Sequence, residues 1–138
     1  MPKSILYHLF GAGCVPDEEL RRLQAESELL REEGLRASIT YRDYRAKWQR
    51  CKWRRKWFVG SIMLTSKRIV AFAGKKPVVN IEYDDPRMEA VKIIAESDER
   101  LLISFDTSEF HTDQSGTIEL RYSTPETERI SEIIASRR

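Results

Sequence analysis

The first hydrophobic pattern in the chain is that of an amphipathic helix over residues 17–33. Pro16 and the acidic residues that follow it are typical of a first helical turn, and Gly34 is typical of a helix end. Leu20, Leu23, Ser27 and Leu30 recur at three- and four-residue spacing and form one narrow apolar stripe. We predict that this stripe is an interaction surface, formed by Leu20, Leu23 and Leu30.

A second helical pattern lies at the C-terminus. Residues 123–126 read Ser-Thr-Pro-Glu, which combines a hydroxyl cap, a first-turn proline and a glutamate that can answer the cap. The buried stripe of this predicted helix consists of Ile130, Ile133 and Ile134.

Between these two patterns, apolar and polar residues alternate in short runs separated by turn residues. This alternation is typical of β-strands, and it predicts seven of them. The expected strands lie at residues 35–42, 47–65, 69–72, 78–83, 88–95, 101–105 and 117–122. The tally predicts a mainly β fold, a barrel or a sandwich, with one helix at each end.

Composition narrows the class of protein. A length of 138 residues suits a single domain. The chain has no apolar run of about 18 residues, which excludes an integral membrane protein built from helices. Its two cysteines, Cys14 and Cys51, are too few for a disulfide scaffold, so we expect a cytoplasmic protein.

The N-terminal segment, residues 1–14, has the crude layout of a lipoprotein signal, but His8 interrupts its apolar run and Gly11 stands where a large aliphatic residue is expected. We therefore expect its apolar side chains to pack on the domain or on a partner chain. These side chains are Ile5, Leu6, Leu9 and Phe10.

Charge is strongly segregated along the chain although its net value is only +2. Residues 45–81 carry 11 basic and no acidic side chains, whereas residues 82–138 carry 7 basic and 14 acidic ones. Such a basic segment attracts anions: phosphorylated lipid, nucleic acid or an acidic protein surface. The alternative is a solvated strand that faces the acidic half of the same fold.

Two segments resemble the pleckstrin-homology (PH) superfold and, more closely, GRAM and bacterial PH-like domains. Residues 53–59 (WRRKWFV) resemble the basic-aromatic second strand of a PH domain. Residues 60–72 (GSIMLTSKRIVAF) resemble the hairpin of GRAM domains, with Thr65 and Ser66 in the turn. The resemblance implies a curved antiparallel barrel of about seven strands, closed by the C-terminal helix.

The resemblance covers residues 35–138, so we expect a PH-like domain there and a separate helical extension at 1–34. The C-terminal residues 124–138 lack the tryptophan usual in PH domains, which moves the likeness toward the GRAM group. Lipid-binding PH domains place basic residues on the first hairpin, and Lys47, Lys52 and Arg54 are the matching positions here.

All three tryptophans of the chain lie among six basic residues at 47–57. In an extended strand, even-numbered residues from Trp48 share one face and Cys51, Trp53, Arg55 and Trp57 share the other. We expect the first face to be an exposed cationic ladder and the second to enter the barrel. The candidate ligands for an anionic head group are Lys47, Arg50, Lys52, Arg54 and Lys56.

Candidate chemistry elsewhere is sparse. His111 with Asp106 and Asp113 is weak evidence for a metal, because Asp-rich turns are ordinary hairpin chemistry. The sequence contains no P-loop, nucleophile elbow, HExxH or dinucleotide fingerprint. We expect no metal, no cofactor and no catalytic residues.

These observations predict a non-enzymatic binding module, peripheral at the membrane, that recognises anionic lipid through residues 47–56. The alternative is a protein-interaction or assembly domain without a lipid ligand. Nucleic-acid binding ranks third, because stacking needs exposed aromatic rings and the PH-like reading buries Trp57 and Trp53. The acidic segment 1–33 either masks the basic strand or joins subunits, as a homo-oligomer or with a protein partner.

Overall fold

The computed structural model describes residues 14–47 and 49–137. Its elements in chain order are α1 (Asp17–Gln24), β1 (Glu28–Ala46), β2 (Gln49–Thr65), β3 (Arg68–Ala73), β4 (Lys76–Glu82), a 3-10 helix (Pro86–Ala90), β5 (Lys92–Ser97), β6 (Arg100–Asp106), a second 3-10 helix (Thr107–Glu109), β7 (Ser115–Ser123) and α2 (Thr127–Arg137). The apolar residues Ile5–Phe10, the signal-like segment before Cys14 and Trp48 lie outside the described residues. No helix within the described ranges is long and apolar enough to cross a membrane.

The seven strands form one antiparallel sheet in the order β4-β3-β2-β1-β7-β6-β5. The expectation of seven strands and a C-terminal helix is confirmed. The expectation of a closed barrel is wrong, because β4 and β5 are the two edges and do not pair with each other. The chain between these edges forms the 3-10 helix Pro86–Ala90, whose Met88 enters the core.

One hydrophobic core lies on the inner face of this sheet. It joins both halves of the sheet, since Ile62 and Leu64 of β2 belong to the same cluster as Leu101 of β6 and Leu120 of β7. Helix α2 adds Ile130 to the cluster and lies beside β5.

A smaller cluster lies on the outer face, the opposite side of the sheet. There α1 buries Leu23 against Met63 of β2 and against Val70 and Phe72 of β3, with Leu20 packed at the margin. Because Met63 is near the C-terminal end of β2, α1 covers that end and not the basic half of the strand.

The predicted helix over 17–33 is wrong in its second half. Helix α1 ends at Gln24, and β1 begins at Glu28 after Ser27, which has a positive φ of 71°. Tertiary contacts explain the break: the Glu26 carboxylate accepts hydrogen bonds from Thr65 Oγ1 at 2.9 Å and from Arg68 Nε at 3.0 Å. A short isolated helix is marginal in water, so these contacts decide the outcome.

The predicted leucine surface is divided as a result. Leu23 is buried in the outer-face cluster, whereas Leu30 belongs to β1 and to the inner core. Gly34, expected to end a helix, lies within β1 at a positive φ of 69° where the register with β2 shifts. The expected boundary at residue 34 therefore falls inside a strand.

The predicted fifth strand, 88–95, starts too early. Asp85 Oδ1 accepts a hydrogen bond of 2.8 Å from the backbone N–H of Arg87, which caps the 3-10 helix that begins at Pro86. The strand β5 follows only at Lys92. This cap and the proline override the apolar alternation of the segment.

The C-terminal helix is confirmed, but the hydroxyl that bonds the turn before it belongs to Thr124. Thr124 Oγ1, and not Ser123, accepts a hydrogen bond of 3.2 Å from the N–H of Glu126. The Thr124 hydroxyl also donates to Glu32 Oε1 at 2.8 Å, which ties the start of α2 to β1.

We expect Leu23→Ala to lower the free energy of unfolding by about 2–4 kcal/mol, because it empties a site that is only 1% exposed. Thermal unfolding followed by circular dichroism measures the change. The neighbouring exposed residue provides the control: Gln24→Ala should leave stability within about 0.5 kcal/mol of the wild type. Equal stability of all three chains would contradict the docking of α1.

Candidate functional site: the basic hairpin

The basic hairpin, residues 41–57, is the part of β1 and β2 around their connecting turn. It carries eight basic side chains and a single acidic one, Asp43. Its β1 half pairs with β7 as far as Arg45. Its β2 half pairs only with β1 in the described chain, because β3 begins to pair with β2 at Gly60.

Contacts from the start of β7 hold this hairpin in place. The Tyr44 hydroxyl donates a hydrogen bond of 3.2 Å to Gln114 Oε1. Gly116 comes so close to β1 that a Cβ atom there would lie 2.5 Å from the Asp43 carbonyl oxygen. Only glycine permits this approach, which occurs at a φ of +107°.

The register of the hairpin decides which way its side chains point. Lys56 lies opposite Ile39 and Arg54 opposite Tyr41, so both basic residues are on the inner face, beyond the end of the core. Trp53, Arg55 and Trp57 lie opposite Arg42, Thr40 and Ser38, on the outer face.

The expected orientation of the strand is therefore wrong, although the division into two faces holds for residues 53–57. Trp53 is 54% exposed and Trp57 is 75% exposed, so neither enters the core. The alternation runs without interruption from Leu64 to Arg54, and Leu64 points inward. The bulge in this part of the sheet lies in β1 at Gly34 and not in β2 at Gly60, so it does not exchange the two faces of β2.

Predicted ligand residues meet in two shallow grooves near the turn. One groove, of about 300 Å³, is lined by Arg50, Arg54 and Lys56 together with Tyr41 and Tyr44. The neighbouring groove, of about 350 Å³, includes Arg50 again and adds Lys52. Lys47 lies in the turn itself.

Two tyrosines and one arginine belong to this site and were not predicted. Tyr41 and Tyr44 have ring centroids 4.9 Å apart and form a wall of the first groove. Burial raises the pKa of the Tyr41 phenol, and the neighbouring Tyr44 and Cys51 raise it further. Arg45 lies opposite Arg50. The sequence shows that residue 45 is basic, but it does not show that this residue pairs with Arg50 across the hairpin.

Four cations of this site have no acidic partner among the described residues. Within residues 14–47 and 49–137, no carboxylate lies within 4.0 Å of the side-chain nitrogens of Arg50, Lys52, Arg54 or Lys56. Arg42, at the base of the hairpin, does pair with a carboxylate, Glu119, at 2.8 Å. In the described structure, these four residues therefore form no ion pair with the acidic half of the fold.

On the outer face, Arg55 lies between the two exposed indoles. Its guanidinium carbon is 5.3 Å from the ring centroid of Trp53 and 6.0 Å from that of Trp57. Its Nε also donates a hydrogen bond of 3.0 Å to Thr40 Oγ1. These contacts fix an aromatic and cationic row along the outer face of β2.

The weak metal candidate does not assemble. Asp106 Oδ1 accepts hydrogen bonds from the N–H and hydroxyl of Ser108 and caps the second 3-10 helix. These hydrogen bonds lower the pKa of Asp106. No group of three or more His, Cys, Asp or Glu side chains suited to a metal occurs in the part of the chain that the structure describes.

Comparison with models of known families, and with curated proteins, finds no match for this chain.

Proposed function

We propose that this protein is a non-enzymatic binding module that attaches to anionic membrane surfaces through the basic hairpin. The observation that carries the proposal is the group of four exposed, unpaired cations at one end of the sheet: Arg50, Lys52, Arg54 and Lys56. Juxtamembrane cations each gain roughly 1 kcal/mol near an anionic leaflet. Several together suffice for reversible attachment.

The exposed indole of Trp53 adds to this attraction. It projects from the same stretch of strand as Lys52 and Arg54. Tryptophan prefers the level of the lipid head groups, where its ring is partly apolar and its N–H remains solvated. Trp53 is on the outer face of β2 and Arg54 is on the inner face, so the end of the hairpin carries an exposed indole beside unpaired cations. This combination matches the chemistry of an anionic interface.

The proposal also retains the resemblance to PH and GRAM domains. It is supported by the antiparallel order in which β1 pairs with β7, and by the docking of α2 after the last strand. In this proposal, the hairpin grooves next to Tyr41 receive the phosphate oxygens, with arginine as a bidentate donor.

Vesicle flotation tests the proposal. At low salt, we expect the full chain to float with phosphatidylcholine vesicles in proportion to their phosphatidylserine content, and to be released as salt rises. The triple variant Lys52→Gln, Arg54→Gln, Lys56→Gln should bind roughly 100-fold more weakly, since it loses three surface contacts.

A matched control separates a site from net charge. The triple variant Lys67→Gln, Lys75→Gln, Lys76→Gln loses the same charge at exposed positions near the β2–β3 and β3–β4 turns, and it should float like the wild type. Equal loss in both triple variants would overturn the hairpin as the site. Failure of the wild type to float at low salt with the most anionic vesicles would overturn the lipid proposal altogether.

A second candidate is a protein-interaction module, and the open edge of β2 favours it. Between Gln49 and Phe58, no described strand pairs with the edge of β2 that faces away from β1. An acidic peptide could add there as a further strand, gaining backbone hydrogen bonds and charge complementarity. In that case, amide exchange of residues 49–58 should slow in the presence of an acidic peptide and remain unchanged with anionic vesicles.

A further inference from the structure

The outer face of the sheet holds a second concentration of cations, distinct from the hairpin grooves. A cavity of about 670 Å³ spans β5, β6, β7, β1 and β2. We call it the arginine groove. Its principal lining residues are Arg36, Ser38, Arg55, Trp57, Arg100 and Arg121.

The strand register brings these distant residues together. Ser38 of β1 lies opposite Trp57 of β2 on one side and opposite Arg121 of β7 on the other. Arg100 of β6 lies opposite Ser123, two residues beyond Arg121. Neighbouring strands are about 4.8 Å apart, so long arginine side chains from four strands reach a common space.

The charge of the arginine groove is not balanced from within. Glu96 is the one carboxylate of its lining, and Arg121 already engages it at 3.0 Å. Arg121 also pairs at 3.3 Å with Glu119, which accepts a hydrogen bond from Arg42 as well. Burial opposes ionisation of Glu119, but these two arginines outweigh it and lower its pKa.

Three guanidinium groups are left without a carboxylate. Among the described residues, Arg55 contacts the neutral Thr40 hydroxyl and the two indoles, and no carboxylate. Arg36 and Arg100 are exposed, and within the described ranges their side chains make no hydrogen bond or ion pair. Guanidinium forks match phosphate oxygens in a bidentate geometry, so an external phosphate would complete them.

Trp57 adds a planar wall to these cations. Its ring is 75% exposed, and Arg55 lies 6.0 Å from its centroid, so most of the indole surface is open to a ligand. Stacking of a base on such a ring is favourable for any heteroaromatic base. The volume of the groove is within the range typical of small-molecule sites.

We propose that the arginine groove binds a nucleotide, with the base stacked on Trp57 and the phosphates held by Arg36, Arg55 and Arg100. This site is on the opposite face of β2 from the groove formed by Tyr41, Arg54 and Lys56, and it does not depend on lipid binding. The nucleotide is either a free mononucleotide or the end of a single-stranded nucleic acid, since both present the same chemistry.

Calorimetric titration of the full chain with ATP tests the site. We expect saturable binding, weakened about 100-fold by Arg36→Gln with Arg100→Gln and about tenfold by Trp57→Ala. The matched pair Lys75→Gln, Lys76→Gln removes the same charge outside the groove and should bind ATP normally. All these positions are exposed, so melting temperatures should stay close to the wild type.

Ligand fragments show whether both halves of a nucleotide are recognised. Tripolyphosphate lacks the base and adenosine lacks the phosphates, and both should bind more weakly than ATP. Tripolyphosphate binding equal to that of ATP would overturn the role of Trp57. Absence of ATP binding, or equal loss in the lysine control, would overturn the site.

The source of the nucleotide is identified by competition with a short single-stranded oligonucleotide. If the oligonucleotide displaces bound ATP at a concentration below that at which ATP itself binds, the groove is assigned to a nucleic-acid end. If it displaces ATP only at a higher concentration, the groove is assigned to free nucleotide. Both results support the site. The lipid proposal fails or holds separately, because the hairpin variant Lys52→Gln, Arg54→Gln, Lys56→Gln should retain ATP binding. Loss of ATP binding in that variant would overturn the separation of the two faces.

Discussion

A chain carrying Ile130→Asp is expected to lose much or all of its stability at room temperature. Ile130 is fully buried where α2 meets the inner core. The substitution removes an apolar side chain and places a carboxylate there without a partner, at a combined cost of about 5 kcal/mol or more. Domains of this size have total stabilities of about 5–15 kcal/mol, so the loss removes much or all of the margin.

Circular dichroism and thermal unfolding measure this effect, and α2 itself supplies two controls. Ile133→Asp should cost less, because Ile133 is only partly buried against the same core. Ala135→Asp, on the exposed side, should change the free energy of unfolding by about 0.5 kcal/mol at most. If Ile130→Asp melted with the wild type, α2 would not be docked as described.

Gly60→Ala is expected to destabilise the sheet by about 3 kcal/mol or more, lowering the melting temperature by roughly 10 °C. A Cβ atom at this position would lie 2.1 Å from the Phe72 carbonyl oxygen and 2.9 Å from Phe58 Cε2. The same carbonyl accepts a hydrogen bond of 3.0 Å from the buried Tyr122 hydroxyl. To admit the methyl group, β2 and β3 must separate, which disturbs this bond as well.

Gly74→Ala is the matched control for Gly60→Ala. Gly74 has a φ of +62° but open space around its Cα, so only the backbone conformation is penalised, at about 1–2 kcal/mol. The comparison separates a steric clash from a conformational preference. A Gly60→Ala chain as stable as the Gly74→Ala chain would show that β2 and β3 do not approach each other this closely.

The two proposed sites lie on opposite faces of one strand, and this arrangement follows from the period of two along β2. Arg54 and Lys56 face inward past the end of the core, while Trp53, Arg55 and Trp57 face outward. Because no extra residue interrupts β2 between Leu64 and Lys56, the direction of Leu64 determines the direction of Lys56. Lipid binding by Arg54 and Lys56 and nucleotide binding by Arg55 and Trp57 would therefore use opposite faces of β2.

The features that depend on neighbouring residues could be predicted from the sequence alone. Alternation predicted most of the seven strands, and the isoleucine spacing predicted α2 with its buried Ile130 and Ile134. The concentration of cations at 47–56 was also evident, because these residues form one continuous run of the sequence. The turn between β1 and β2 then brings the two halves of the hairpin together.

Tertiary structure decided what depends on contacts between distant residues. Helix α1 ends early because Glu26 bonds to Thr65 and Arg68, about 40 positions further along the chain. The orientation of Trp53 and Trp57 could not be predicted from the sequence, because the alternation does not show which face of the strand packs on the core. The arginine groove could not be predicted from the sequence either, because Arg36, Arg100 and Arg121 are far apart along the chain. They become neighbours only through the pairing of β1, β7 and β6.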